Sequence, residues 1–191
     1  MTLLQTFTAC GSQTWNWEAK IYYPLAMAVG GVKEMVEKVV VDVGAGGSIK
    51  ELNILDHGGV ANDVGWVQLG SDELTETDID KGGTEPWRAL ASLKGLFADE
   101  GYLFFMNCGA GQSTKILTWA AKLTGTRVYG GTGFEHMAGF NDGYYVLAWP
   151  DGKVTERVAR PKTTLVSAIL EGPVKPPPAR SIGRALAPLL R

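Results

Sequence analysis

The sequence predicts an α/β protein, a three-layer α/β/α sandwich around a mostly parallel central sheet. Three observations predict it. Apolar runs of strand length alternate along the chain with stretches of helical period. One of the runs, Tyr102-Leu103-Phe104-Phe105-Met106, is continuously apolar, as a strand covered on both faces has to be. Glycine-rich turns, Asp56-His57-Gly58-Gly59 and Asn107-Cys108-Gly109-Ala110-Gly111, follow two of the strand-like runs, where an open α/β sheet carries its working residues.

Apolar residues at 25, 28, 29, 32, 35, 36, 39 and 40 form the first helical stripe, with Lys33, Glu34, Glu37 and Lys38 opposite. Gly30 and Gly31 interrupt it, and each costs about 1 kcal/mol relative to Ala inside a helix. Either another backbone passes close there or the segment is two pieces. Gly44-Ala45-Gly46-Gly47 ends the stripe. Glu51 to Leu55 then reads as a strand, and Gly65 to Gly70 as a second, shorter one after a polar loop. The acidic stretch from Asp72 to Thr84 reads as a surface loop.

From Glu85 a helix is expected, with Pro86 in its first turn and Trp87, Leu90, Leu93 and Phe97 inward. After the strand at 102–106, another helix carries Ile116, Trp119, Ala120 and Leu123 inward and stops at Gly125. Arg127-Val128-Tyr129 is a short strand leading into the glycine loop Gly130-Gly131-Thr132-Gly133. Tyr144 to Trp149 and Lys153 to Val158 pair as a hairpin about the Pro150-Asp151-Gly152 turn. A further helix is expected over 163–171, after which Pro173 and Pro176-Pro177-Pro178 stiffen the chain. The organisation is therefore one domain over 1–171 and a Pro-rich extended tail over 172–191. The tail offers a polyproline segment to a partner. Its apolar end, Ile182, Ala185, Leu186, Leu189 and Leu190, is equally explained by a terminal helix docking on the domain itself.

Composition narrows the function. The 191 residues carry a formal net charge of −2, which supplies no broad basic field for nucleic acid or an anionic membrane. No apolar run approaches the roughly 20 residues of a membrane-spanning helix. The start, Met1-Thr2-Leu3-Leu4-Gln5-Thr6, lacks the basic and apolar regions of a secretory signal, so the expected location is the cytoplasm. Two cysteines are too few for a disulfide framework or a four-cysteine zinc site. Neither glycine loop has the Lys-Ser/Thr ending of a phosphate loop or the dinucleotide-binding spacing. The acidic stretch lacks the ligand spacing of a calcium-binding loop.

What remains is a short list of chemically able side chains: Cys10, Cys108, His57 and His136. A thiol attacks carbonyl carbon as its thiolate and needs a neighbouring base or a local field. Cys108 lies between a buried strand and an expected helix, whose N-terminal dipole would favour the anion. His57, at the end of another strand, is placed to take the thiol proton and later protonate a leaving amine. Gly58 and Gly109 let substrate approach the backbone, and N–H groups near Gly58 and Cys108 are candidates to receive a developing oxyanion. The segment Thr8-Ala9-Cys10-Gly11-Ser12-Gln13-Thr14-Trp15 is similar to the start of papain-like enzymes, but Gln13 stands where their nucleophilic Cys belongs. Cys10 is thus expected to pack an N-terminal strand, and His136 to sit on a loop.

The order strand-His57-Gly58, then strand-Cys108-Gly109, resembles the caspase-like cysteine peptidase superfamily of caspases, metacaspases, legumain and gingipains. The separation of His57 and Cys108 matches the roughly 50 residues typical of caspases. The stretch from Leu52 to Gly131 also looks like caspase-like domains of large bacterial surface proteins, in Gln68-Leu69-Gly70 and Leu123-Thr124-Gly125 as well. The resemblance implies a caspase-like fold and a thiol peptidase with Cys108 as nucleophile and His57 as general acid/base. It further implies an oxyanion hole from Gly58 and the Cys108 amide, a peptide or protein substrate, and no metal or organic cofactor. Gly131, Thr132 and Glu135 would line the substrate groove, although a simple connecting loop explains the same residues. Phe105-Met106-Asn107-Cys108-Gly109 replaces the caspase Gln-Ala-Cys-Arg-Gly, and no Asp shortly precedes Cys108 as in metacaspases, so a preference for Arg or Lys is not implied. A catalytically inactive relative that holds a peptide without cutting it is the alternative function.

Overall fold

The computed structural model describes residues 3–11, 17–136 and 140–161. The chain enters through β1 (Leu3–Gly11), passes α1 (Trp17–Tyr22) and forms the three-residue β2 (Met27–Val29). Helix α2 (Val32–Val43) returns to β3 (Gly47–Leu55). Three short strands follow, β4 (Gly58–Ala61), β5 (Val64–Leu69) and β6 (Asp72–Thr75), then α3 (Glu76–Asp80) and α4 (Glu85–Arg88). A 3-10 turn over Ala89–Leu93 leads into β7 (Phe97–Phe105), and a second one over Ala110–Gln112 into α5 (Thr114–Thr124). Strands β8 (Arg127–Gly131), β9 (Tyr145–Ala148) and β10 (Val154–Val158) complete the described elements.

Seven of these strands form one sheet in the order β10-β9-β8-β7-β3-β1-β2. The run from β2 through β1, β3 and β7 to β8 is parallel, and β9 and β10 add antiparallel at one edge. The protein is therefore α/β with a mixed sheet flanked by helices, as the alternation of patterns predicts.

The continuous apolar run of β7 has the cause assigned to it. Leu103 and Phe105 face one apolar cluster, with Val32, Met35, Val36 and Val39 of α2 and Ile116, Leu117 and Ala120 of α5. Tyr102, Phe104 and Met106 face the other, with Cys10, Tyr23, Leu55 and Tyr145. Successive residues of a strand point to opposite faces, so a run apolar at every position requires both faces covered. The burial of Cys10 in β1 is as expected for a packing residue.

Several boundaries differ from expectation. The stripe from 25 onward is not one helix. Residues 27–29 pair in parallel with 9–11 as β2, and the helix begins only at Val32. Both readings of the double glycine hold together. The chain is two pieces there, and Gly30 O accepts hydrogen bonds from Ser71 N (2.8 Å) and Ser71 Oγ (3.0 Å). On the other side of that contact Gly70 has φ +60°, and a Cβ there would stand 2.1 Å from Gly30 O.

The expected surface loop from Asp72 is instead structured. Asp72–Thr75 is the third strand of an antiparallel sheet ordered β4-β5-β6, and Leu74 is fully buried in the main core. Thr75 and Asp78 then start α3 with a reciprocal capping box. Polar flanks hid a strand with a single inward apolar residue. Phe97 belongs to β7 rather than to the preceding helix, which tightens into its 3-10 turn after Arg88. Gly130 and Gly131 lie within β8, not in a loop. The expected helix at 163–171 and the tail at 172–191 fall outside the described residues.

Candidate active site

Strands β3 and β7 are parallel neighbours with Ile54 opposite Phe105. His57 and Cys108 each lie three residues beyond that pair, in the turns that follow β3 and β7. Strand spacing of about 4.8 Å brings the two backbones together there. A Cβ on Gly58 would stand 2.8 Å from Asn107 Cβ and 2.9 Å from Cys108 O, and one on Gly109 would stand 3.3 Å from Gly59 Cα. The His-Gly-Gly and Asn-Cys-Gly turns are thus packed backbone against backbone, which only side-chain-free positions permit.

The connection after β8 closes a third side. Gly109 N donates to Gly133 O (2.8 Å), and Gln112 Nε2 to Thr132 O (2.5 Å). Cys108 Sγ lies 4.0 Å from Glu135 O. His57 is exposed and Cys108 is partly buried. The structure packs the two turns against each other but forms no hydrogen bond between the His57 imidazole and Cys108 Sγ.

Other expected site residues are used differently. The Gly109 amide is already donated to Gly133, so it is not free to receive an oxyanion. Gly131 is a buried strand residue opposite Tyr145. Thr132 Oγ1 accepts from Tyr144 N (3.0 Å) and lies 3.1 Å from Tyr144 O, tying the ends of the connection together. Glu135 does not line an open groove: its side chain is 1% exposed, and Asn141 Nδ2 donates to its Oε2 (2.9 Å). Arg160 stands 3.6 Å from its Oε1. Burial pushes the Glu135 carboxyl up to about 7, opposed by Arg160, Asn141, Tyr145 and His136. The helix-dipole argument for Cys108 also changes. Helix α5 starts at Thr114, and Ser113 Oγ caps it by accepting from Ile116 N (3.2 Å). The thiol therefore lies before the 3-10 turn, away from the first turn of α5, where a dipole effect is confined.

Two positioning residues were not singled out by the sequence reading. Asn107 is fully buried, and its Nδ2 donates to His57 O (2.6 Å) and Gln68 O (2.8 Å). Asp56 accepts from His57 N through Oδ1 (2.9 Å) and from Gly70 N through Oδ2 (2.7 Å). The signal was present: each is a polar residue directly at the end of an apolar strand, and a buried polar group requires partners.

The two thiols differ. Burial, reinforced by the Asp56 carboxylate, pushes Cys10 up to about 12, which makes it an inert packing residue. Among the described residues no group of three or more His, Cys, Asp or Glu side chains is arranged to hold a metal ion. No helix among them is long and apolar enough to cross a membrane. No protein-family model, curated protein or solved structure matches this chain.

Proposed function

We propose that the protein is a cysteine-dependent peptide-bond hydrolase of the caspase-like type, working with Cys108 and His57. The observation that carries this reading is that the turns holding the two residues leave adjacent parallel strands and pack together, with Gly58 against the Asn107–Cys108 backbone. In this scheme His57 takes the Cys108 proton and the thiolate attacks the scissile carbonyl carbon. The electron pair of the C=O moves to oxygen, which backbone N–H groups near Gly58 and Cys108 receive. The intermediate collapses to a thioester as the imidazolium gives its proton to the departing amine. Water, deprotonated by His57, then attacks the thioester, releasing the acid and restoring the thiol. A charged nucleic acid is not the expected partner, given the net charge of −2.

A specific observation favours a second reading, a non-cleaving peptide-binding domain: Cys108 Sγ faces the carbonyl of Glu135 and is not hydrogen-bonded to His57. Alkylation separates the two. Iodoacetamide should label Cys108 and leave Cys10 unmodified in the native protein. For the peptidase, Cys108 labelling is fast at pH 6 to 7 and slows in His57→Ala. A labelling midpoint near the free-thiol value of about 8.5 that ignores His57 would sink the peptidase reading and leave the binding domain to be tested with peptides.

A further inference from the structure

The described residues of the connection between β8 and β9 have their polarity reversed. Glu135 is buried, whereas its neighbour Phe134 is 57% exposed and Phe140 is 53% exposed. Burial alone favours the opposite arrangement, since a carboxylate resists leaving water and a phenyl ring gains by it. The reversal is held by a built scaffold. Glu135 and Asn141 form an antiparallel bridge, His136 N donates to Phe140 O (2.9 Å), and Asp142 N to Phe134 O (3.2 Å). Asn141 Oδ1 accepts from Gly133 N (3.0 Å) and Gly143 N (2.9 Å).

On the outer side the rings are ordered. The His136 ring stacks on Phe140 at 4.0 Å and 18°, meets Phe134 edge-on at 4.8 Å, and is held by Asp142 Oδ1, 3.0 Å from its Nε2. The same strip of chain supplies Gly133 O to Gly109 N and Glu135 O to Cys108 Sγ. Phe134 thus lies between the two residues whose carbonyls meet Gly109 N and Cys108 Sγ, and Phe140 precedes Asn141, the bridge partner of Glu135, while both rings stay exposed. Of the other described exposed large apolar residues, Val60 on β4 also lies near the site, two residues after Gly58, whereas Leu25 and Val41 belong to other parts of the chain. Ordered, exposed aromatic surface bordering a reactive group is what a recognition subsite requires.

We propose that Phe134 and Phe140, braced by His136, form a subsite for an aromatic or branched aliphatic side chain of an extended peptide whose carbonyl is presented to Cys108. The assignment rests on the reading of Cys108 as the reactive centre, and it is tested without requiring turnover. Full-length Cys108→Ala protein is titrated with fluorescent capped peptides identical except for one central Phe, Leu, Asp or Lys. The Phe and Leu peptides should bind about tenfold more tightly than the Asp and Lys peptides. Adding Phe134→Ser and Phe140→Ser should abolish that preference, whereas Phe134→Leu with Phe140→Leu should retain it. Equal binding of all peptides, no binding at all, or a preference that survives the Ser changes would overturn the proposal. So would Phe-dependent binding to phosphatidylcholine vesicles without a peptide preference, which would assign the rings to a lipid surface. The Cys108 alkylation profile is independent of these outcomes, so failure of the dyad and failure of the subsite are read separately.

Discussion

Glu135 is a carboxyl group that the fold holds against its ordinary ionisation. Its pKa is raised from 4.5 to about 7, so the folded chain binds this proton more tightly than the unfolded chain does. The stabilising contribution is complete below about pH 4.5 and is lost as pH rises through 7. Its full size is on the order of 3 kcal/mol, taking about 1.4 kcal/mol per pKa unit. Glu135→Gln should remove this dependence. Thermal melts from pH 4.5 to 8 should show the wild-type midpoint falling relative to the Gln variant as pH rises; a constant or opposite difference would refute the assignment. The Glu135 carbonyl borders Cys108, so the same residue joins the stability of the β8–β9 connection to the wall of the site.

Helices in this protein take their starts from different sources. Ser113 caps α5 and Thr75 caps α3, both with their own side chains and at their own N-cap positions. Helix α2 has Gly31 at its N-cap, with no side-chain bond of its own. Asp72, forty positions away in sequence on β6, supplies the missing acceptor: Val32 N donates to Asp72 Oδ2 at 2.8 Å. The Asp72 carbonyl also lies 3.3 Å from Trp87 Nε1, which fastens the buried indole of α4 to the same strand. Asp72→Ala should therefore cost about 1–2 kcal/mol, the usual loss for a helix cap. Asp72→Asn, which keeps the acceptor oxygen, should recover most of it. Urea midpoints measure both, and an Ala variant as stable as wild type would show that α2 needs no cap from β6.

The described residues form two sheets, and the candidate site lies where they meet. Asn107 ties the end of β7 to the His57 carbonyl and to Gln68 on β5, so one amide group spans both sheets. Its loss removes two hydrogen bonds from a dry position. His57 O retains Gln68 N as a donor (2.9 Å), whereas Gln68 O loses its Asn107 partner. Asn107→Ala should cost about 2 kcal/mol in chemical denaturation. It should also shrink the difference in Cys108 labelling rate between wild type and His57→Ala, because the His57 carbonyl loses the donor that ties it to the Cys108 turn. A stability loss with that rate difference intact would make Asn107 structural only.

Much of this architecture is legible in local pattern. The double-sided apolarity of Tyr102 to Met106, the helical period leading to Gly125 and the turn at Pro150-Asp151-Gly152 each declare an element, because their signals arise within one strand, helix or turn. The ends of two such strands likewise mark His57 and Cys108 as the pair to consider. Pattern fails wherever the decisive partner is distant. The small sheet over 58–75 contributes only a few buried side chains, so its outer strands β4 and β6 look like polar loop until they pair with β5, the one strand of the three that the sequence marks. The break at Gly30-Gly31 becomes clear only with the Gly70-Ser71 turn against it. Glu135 looks like a groove residue in one dimension, and in three it is drawn inward by Asn141 and Arg160 while two phenylalanines turn outward. Local periodicity specifies which segments become strands and helices because each buries its own face. The arrangement of the site depends on hydrogen bonds and close contacts between segments far apart in the chain, and these exist only once the sheets have assembled.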